Sequence, residues 1–137
     1  MKANKTSWAN WKANFLQAFG FDSIQYSEGY DLAKKYYRST GGNIHFTGHS
    51  LGGGIAASVA IRTSSSATVF NAAGVHNNTL NNEPRNAGSI KYYYSSHDVL
   101  RLGNRLTPSS VPGRGINLGS AGLHGIGGVC RVMGGNC

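Results

Sequence analysis

Between residues 44 and 61 a β-type run (Ile44-His45-Phe46-Thr47), a glycine-flanked serine (Gly48-His49-Ser50-Leu51-Gly52) and a helix of small residues follow one another without a spacer. A strand that passes straight into a helix must turn within a residue or two, which leaves the residue at the bend exposed at the end of the sheet. Glycines on either side answer a steric demand, because side chains there would strike neighbouring backbone. The bare Gly-x-Ser-x-Gly pattern is weak evidence: a chain with 20 glycines meets it by chance roughly once in three. Its place between a strand and a helix gives it weight. Ser50 is then a candidate nucleophile, and the backbone N–H of Leu51 a candidate donor to an oxyanion.

The rest of the chain repeats that alternation. Residues 8–19 read as a helix, with Trp8, Trp11, Phe15 and Phe19 at helical spacing and Gly20 at the end. A second helix starts at Asp22 or Ser23 and runs to Arg38. Tyr26, Tyr30, Ala33 and Tyr37 share one of its faces, and Gly41-Gly42 stop it. Strands are expected over residues 43–47, 68–71 and 89–95, and a third helix over 51–61. The Asn-rich stretch 76–88 reads as a loop, and glycine, serine and proline dominate from Gly103 until a weak last helix at 126–133. Strands separated by helices imply one α/β domain with a mostly parallel sheet and right-handed crossovers. In such sheets sites gather where the strands end.

The chain holds five acidic residues, Asp22, Glu28, Asp31, Glu83 and Asp98. When a serine nucleophile sits on a strand-to-helix turn, the acid and then the histidine follow it along the chain. That leaves Glu83 and Asp98. Asp98 directly follows the YYYSS strand and has the better platform. His124 is the only histidine beyond it, so elimination yields Ser50, Asp98 and His124 as a triad. Plainer readings exist: Ser50 as a buried turn serine, His124 as an exposed loop residue, and His97 with Glu83 as a rival acid–base pair. His49 and His97 flank the triad positions, and strand and turn geometry would point them elsewhere.

The net charge is +8 with a pI near 9.8. The cations are scattered, with Lys34, Lys35 and Arg38 near one helix end and Arg101, Arg105, Arg114 and Arg131 further on. Simple solubility explains them, as would an anionic lipid surface or an acidic protein partner; a nucleic-acid partner is not expected. Cys130 and Cys137 lack metal-ligand spacing, and a small disulfide loop and two free thiols are both open. No apolar run is long enough to span a membrane and none resembles a signal peptide, so export would need another signal.

IHFTGHSLGGG resembles the nucleophile region of class 3 lipases. YDLAKKYYRSTGG before it, VFNAAGV after it and SSHDVL around the acid resemble the same family and its bacterial relatives, some of which are secreted effector or toxin domains. The likeness covers roughly residues 8–125, closest around Ser50 and looser around His124. It implies a truncated α/β-hydrolase fold and hydrolysis of acyl esters in glycerolipids or phospholipids; that mechanism requires no cofactor or metal, and no carboxylate cluster in the chain suggests one. In the family, a strand and turn precede the helix corresponding to residues 8–19, and that turn gives the second oxyanion donor. Here only MKANKTS precedes Trp8. The expectation is a domain completed by a missing N-terminal segment or by a partner chain, or one with a reduced sheet and a weakened oxyanion hole, where losing one donor costs about 10²–10³ in rate. The alternatives to a lipid-ester hydrolase are another serine acyl enzyme, such as a thioesterase or acyltransferase, and a non-catalytic binding module.

Overall fold

The computed structural model describes residues 22–80, 89–101 and 109–137. The helix expected over 8–19, the segment ahead of it, Glu83 and most of the Asn-rich loop lie outside the described residues.

Helix α1 (Asp22–Ser39) buries Tyr26 and Ala33, seven residues apart, with Tyr30 and Tyr37 half-buried on the same stripe. It ends where expected. Gly41 and Gly42 both take left-handed backbone (φ 63° and 84°), and the Gly42 N–H donates to the Tyr37 carbonyl at 2.9 Å.

Strands β1 (His45–His49), β2 (Ser66–Phe70), β3 (Ser89–Tyr94) and β4 (Arg114–Asn117) form one sheet, all parallel and in chain order. β1 begins and ends two residues later than the sequence implies, because it continues through Gly48 and His49 until the chain bends at Ser50. β4 corrects the expectation of a glycine-rich loop from Gly103 onward. Its four residues, RGIN, carry one apolar side chain, and among the described residues it pairs only with β3. An edge strand with so little to bury shows no alternation. Gly113 explains part of the composition: at φ 99° it lies so close to Ile90 that a Cβ would approach the Ile90 Cβ to 2.5 Å.

Helix α2 (Ser50–Arg62) crosses from β1 to β2 with eight buried residues, mostly Gly and Ala. Their small size lets the helix settle on the sheet. A Cβ on Gly53 would come within 2.8 Å of the Ala72 Cβ, and one on Gly54 within 2.9 Å of the Ala73 carbonyl. The register sets Phe46, Ala67 and Ile90 abreast, then Gly48, Val69 and Tyr92, and these rows join Ala56, Ala57, Ala60 and Ile61 in the core. Fully burying a Val or Ile side chain such as Val69 or Ile61 contributes about 1.5–3 kcal/mol. The other sheet face carries polar rows. There the His45 ring shares hydrogen bonds with Ser66 Oγ (2.7 Å) and Thr68 Oγ1 (3.0 Å). Among the described residues β1 pairs only with β2, so no described strand lies along its outer edge.

A short helix, α3 (Ile126–Val132), follows the glycine-rich segment, and its Cys130 forms a disulfide with Cys137 beyond its end. The four strands end at His49, Phe70, Tyr94 and Asn117, along one edge of the sheet. The chemistry-bearing residues follow directly.

Candidate active site

Ser50 is the first residue of α2 and holds φ 58°, a left-handed conformation that L-residues rarely adopt. Its carbonyl accepts the Ala73 N–H at 2.9 Å, which ties the bend to the chain leaving β2. The two motif glycines are not equivalent. A Cβ on Gly48 would strike the Gly52 carbonyl and sit 2.7 Å from the Gly53 nitrogen, so glycine is obligatory there. A Cβ on Gly52 would meet open space, which corrects the sequence argument for that position. Leu51 lies in the first turn of α2, where backbone N–H groups have no partner within the helix.

Asp98 sits in the turn after β3 and is 1% exposed. Its Oδ1 accepts the Leu100 N–H at 2.9 Å and faces His124 Nδ1 at 3.0 Å. A carboxylate can only accept, so Nδ1 carries the proton and Nε2 is left with its lone pair. That Nε2 lies 2.9 Å from Ser50 Oγ, whose hydroxyl donates to it. The three residues that elimination selected form one hydrogen-bonded chain, Ser50 to His124 to Asp98. Of the rival pairing, His97 is exposed and Glu83 lies outside the described residues.

The loop carrying His124 is laced to the one carrying Asp98. Ser95 Oγ donates to the Gly122 carbonyl (2.6 Å), the Ser96 N–H to the Gly119 carbonyl (2.9 Å) and the Val99 N–H to the Leu123 carbonyl (3.1 Å). These bonds fix a glycine-rich segment that has little core of its own.

Residues 4–130 match the model of a family described as phospholipase-like, the Tle-like phospholipase domain. The chain belongs to that family. This Tle-like domain is 37% identical over 107 residues to the extracellular phospholipase A1 of Serratia liquefaciens, an overlap covering 72% of this chain and 34% of that protein. It therefore spans about a third of the length of the relative it matches. The finding agrees with the lipase resemblance read from IHFTGHSLGGG.

Two site residues of the Tle-like domain escaped the sequence reading. His49 does not point elsewhere. Its Nε2–H donates to the His124 backbone carbonyl at 2.8 Å, and its ring lies 4.8 Å from the His124 ring. Asn71, fully buried and at φ 40°, donates its side-chain N–H to the same carbonyl at 3.2 Å and accepts the Ser95 N–H at 2.9 Å. One faint signal was available for Asn71: asparagine directly after a strand tolerates left-handed backbone. Beneath Asp98, the Tyr92 hydroxyl is held well above the usual phenol range, by burial first and by the Asp98 charge second. It stays a neutral neighbour of the carboxylate.

Proposed function

We propose that this chain hydrolyses acyl esters of glycerophospholipids at a lipid surface, with Ser50 as nucleophile. The observation that carries the reading is the Ser50–His124–Asp98 hydrogen-bond chain at a strained strand-to-helix turn, at 2.9 and 3.0 Å. Membership of a phospholipase-like family and likeness to a phospholipase A1 support the substrate class.

The chemistry follows from the groups. His124 Nε2 accepts the Ser50 proton as Oγ attacks the acyl carbonyl. The new oxyanion lies at the N-terminus of α2, where the Leu51 N–H donates to it. Asp98 holds the imidazole by Nδ1 and stabilises the cation that forms. His124 then protonates the departing glycerol alkoxide, and the acyl chain stays on Ser50. A water activated by the same imidazole releases it as fatty acid.

Labelling with a fluorophosphonate, followed by fatty-acid release from phosphatidylcholine vesicles, tests this reading. Wild type should be labelled and active, and Ser50→Ala and His124→Ala neither. A folded wild type that takes up no probe would overturn it.

A further inference from the structure

Ser50 and Asp98 are held by firm scaffolding: the start of a buried helix and a buried position in the turn after β3. His124 lies between Gly122 and Gly125, at the tip of a loop, in a stretch of chain that buries little. A general base must keep its nitrogen within hydrogen-bond reach of the nucleophile, and small displacements are expensive in rate. The side-chain bonds to Ser50 and Asp98 cannot do this alone, because the first is broken and remade in each cycle. The Ser95 and Val99 bonds hold the loop at Gly122 and Leu123, and the peptide carbonyl of residue 124 itself is held separately.

We propose that His49 and Asn71 are positioning residues, which together clamp the His124 backbone carbonyl and so fix the reach of its imidazole. This rests on the reading of His124 as the base. The carbonyl has two lone pairs, and the two donors approach it from adjacent strand ends: His49 Nε2 from β1 at 2.8 Å and Asn71 Nδ2 from β2 at 3.2 Å. Neither partner is a mobile surface group. His49 is the residue next to Ser50, so the strand that sets the nucleophile also sets the base. Asn71 is fully buried, and its own N–H donates to the Tyr93 carbonyl at 2.9 Å. Its side-chain oxygen accepts the Ser95 N–H, three residues before Asp98. One asparagine thus joins the strand end that leads to the acid with the loop that carries the base. The His49 ring, tilted 38° against the His124 ring, also limits rotation of that imidazole.

The chemistry of the two donors makes the clamp separable from packing. Asn71→Asp keeps the shape and the acceptor for Ser95 but turns an oxygen toward the His124 carbonyl and adds a buried charge, so His49→Phe is the cleaner loss of a donor. His49→Phe keeps the ring and loses only Nε2–H. His49→Gln keeps a donor, since its amide nitrogen reaches about as far as Nε2.

The experiment uses the full chain and measures three things for each variant: the second-order rate of Ser50 labelling by a fluorophosphonate, kcat and KM on a soluble short-chain ester, and the downfield proton signal of His124 Nδ1–H, assigned by its loss in His124→Gln. His49→Phe and Asn71→Asp should each lower the labelling rate and kcat about 10-fold or more, with KM within about threefold and cooperative melting retained. His49→Gln should recover to within about threefold of wild type. The His124 Nδ1–H signal, sharp in wild type, should broaden in the two donor-loss variants. Unchanged labelling and an unchanged signal in folded His49→Phe and Asn71→Asp would overturn the clamp. So would rate losses of equal size in His49→Phe and His49→Gln. If wild type takes up no probe, the nucleophile assignment falls, and the Nδ1–H signal alone decides whether the clamp holds.

Discussion

Ser50 and Ser64 stand at opposite ends of α2 in almost the same left-handed backbone, φ 58° and 52°. Such a conformation costs an L-residue roughly 1–2 kcal/mol. At Ser64 the reason is local. The Ser64 N–H donates to the Ile61 carbonyl (3.2 Å) and the Ser65 N–H to the Ala60 carbonyl (2.8 Å), the paired bonds that close a helix end. Its side chain is exposed at a hollow of about 370 Å³, which among the described residues is lined by Tyr30, Lys34, Tyr37, Arg38 and Arg62 and by no acid or histidine. At Ser50 the same strain aims a hydroxyl at an imidazole that rests on a buried carboxylate. Strain by itself therefore does not mark a site. What sets Ser50 apart is that its side chain starts a hydrogen-bond chain ending on a buried carboxyl group.

Replacing each serine by glycine breaks the comparison most sharply. Ser50→Gly removes the nucleophile and also releases the strain. Ester hydrolysis should fall at least about 10³-fold. Thermal stability should hold or rise, by up to about 1 kcal/mol. Loss of activity with gain of stability, measured by turnover and melting on one sample, is the signature of strain kept for chemistry. Equal losses of both would mean that the Ser50 hydroxyl holds the fold.

Asp98→Asn tests the far end of the chain. The amide is nearly isosteric, but it can present N–H to His124 Nδ1 and favour the wrong tautomer. A turnover loss of about 10²–10⁴ is expected, with Ser50 still present. Activity within a few-fold of wild type would remove Asp98 from the triad. Gly48→Ala acts on the turn itself. Its Cβ would push against the Gly52 carbonyl and the Gly53 nitrogen, so a stability loss of about 1–3 kcal/mol should come together with reduced labelling. Gly52→Ala, facing open space, should melt close to wild type.

What could be read from residues alone follows the same division. The strand, turn and helix around Ser50 were legible because their constraint is local and steric: a strand entering a helix at a glycine-flanked serine admits few geometries. That Asp98 and His124 come together with Ser50 was legible by order and scarcity, since few acids and histidines follow Ser50. β4 was not, because four residues with Ile116 as their one apolar side chain carry no periodicity. The roles of His49 and Asn71 were not legible either. Their bonds go to a backbone carbonyl 75 and 53 residues away, and a carbonyl carries no residue-type signal. Local conformation is written in residue types, whereas long-range contacts to backbone are not.

The smallest expected effect bears most directly on the opening contrast. Ser64→Gly relieves the same left-handed strain at a helix end that needs no side chain. Glycine also has more freedom to lose on folding, so the net gain should be about 0.5–1 kcal/mol, read as a rise of a few degrees in Tm. Turnover and Ser50 labelling should stay within about twofold of wild type, because α2 ends at Arg62, roughly 18 Å along its axis from Ser50. A fall in turnover would mean that the C-terminal end of α2 is coupled to its N-terminal turn, and that the small-residue packing of Gly53 and Gly54 transmits the change. Unchanged turnover with a higher Tm would confine the functional strain to Ser50, where one backbone conformation serves both the turn and the reacting atom.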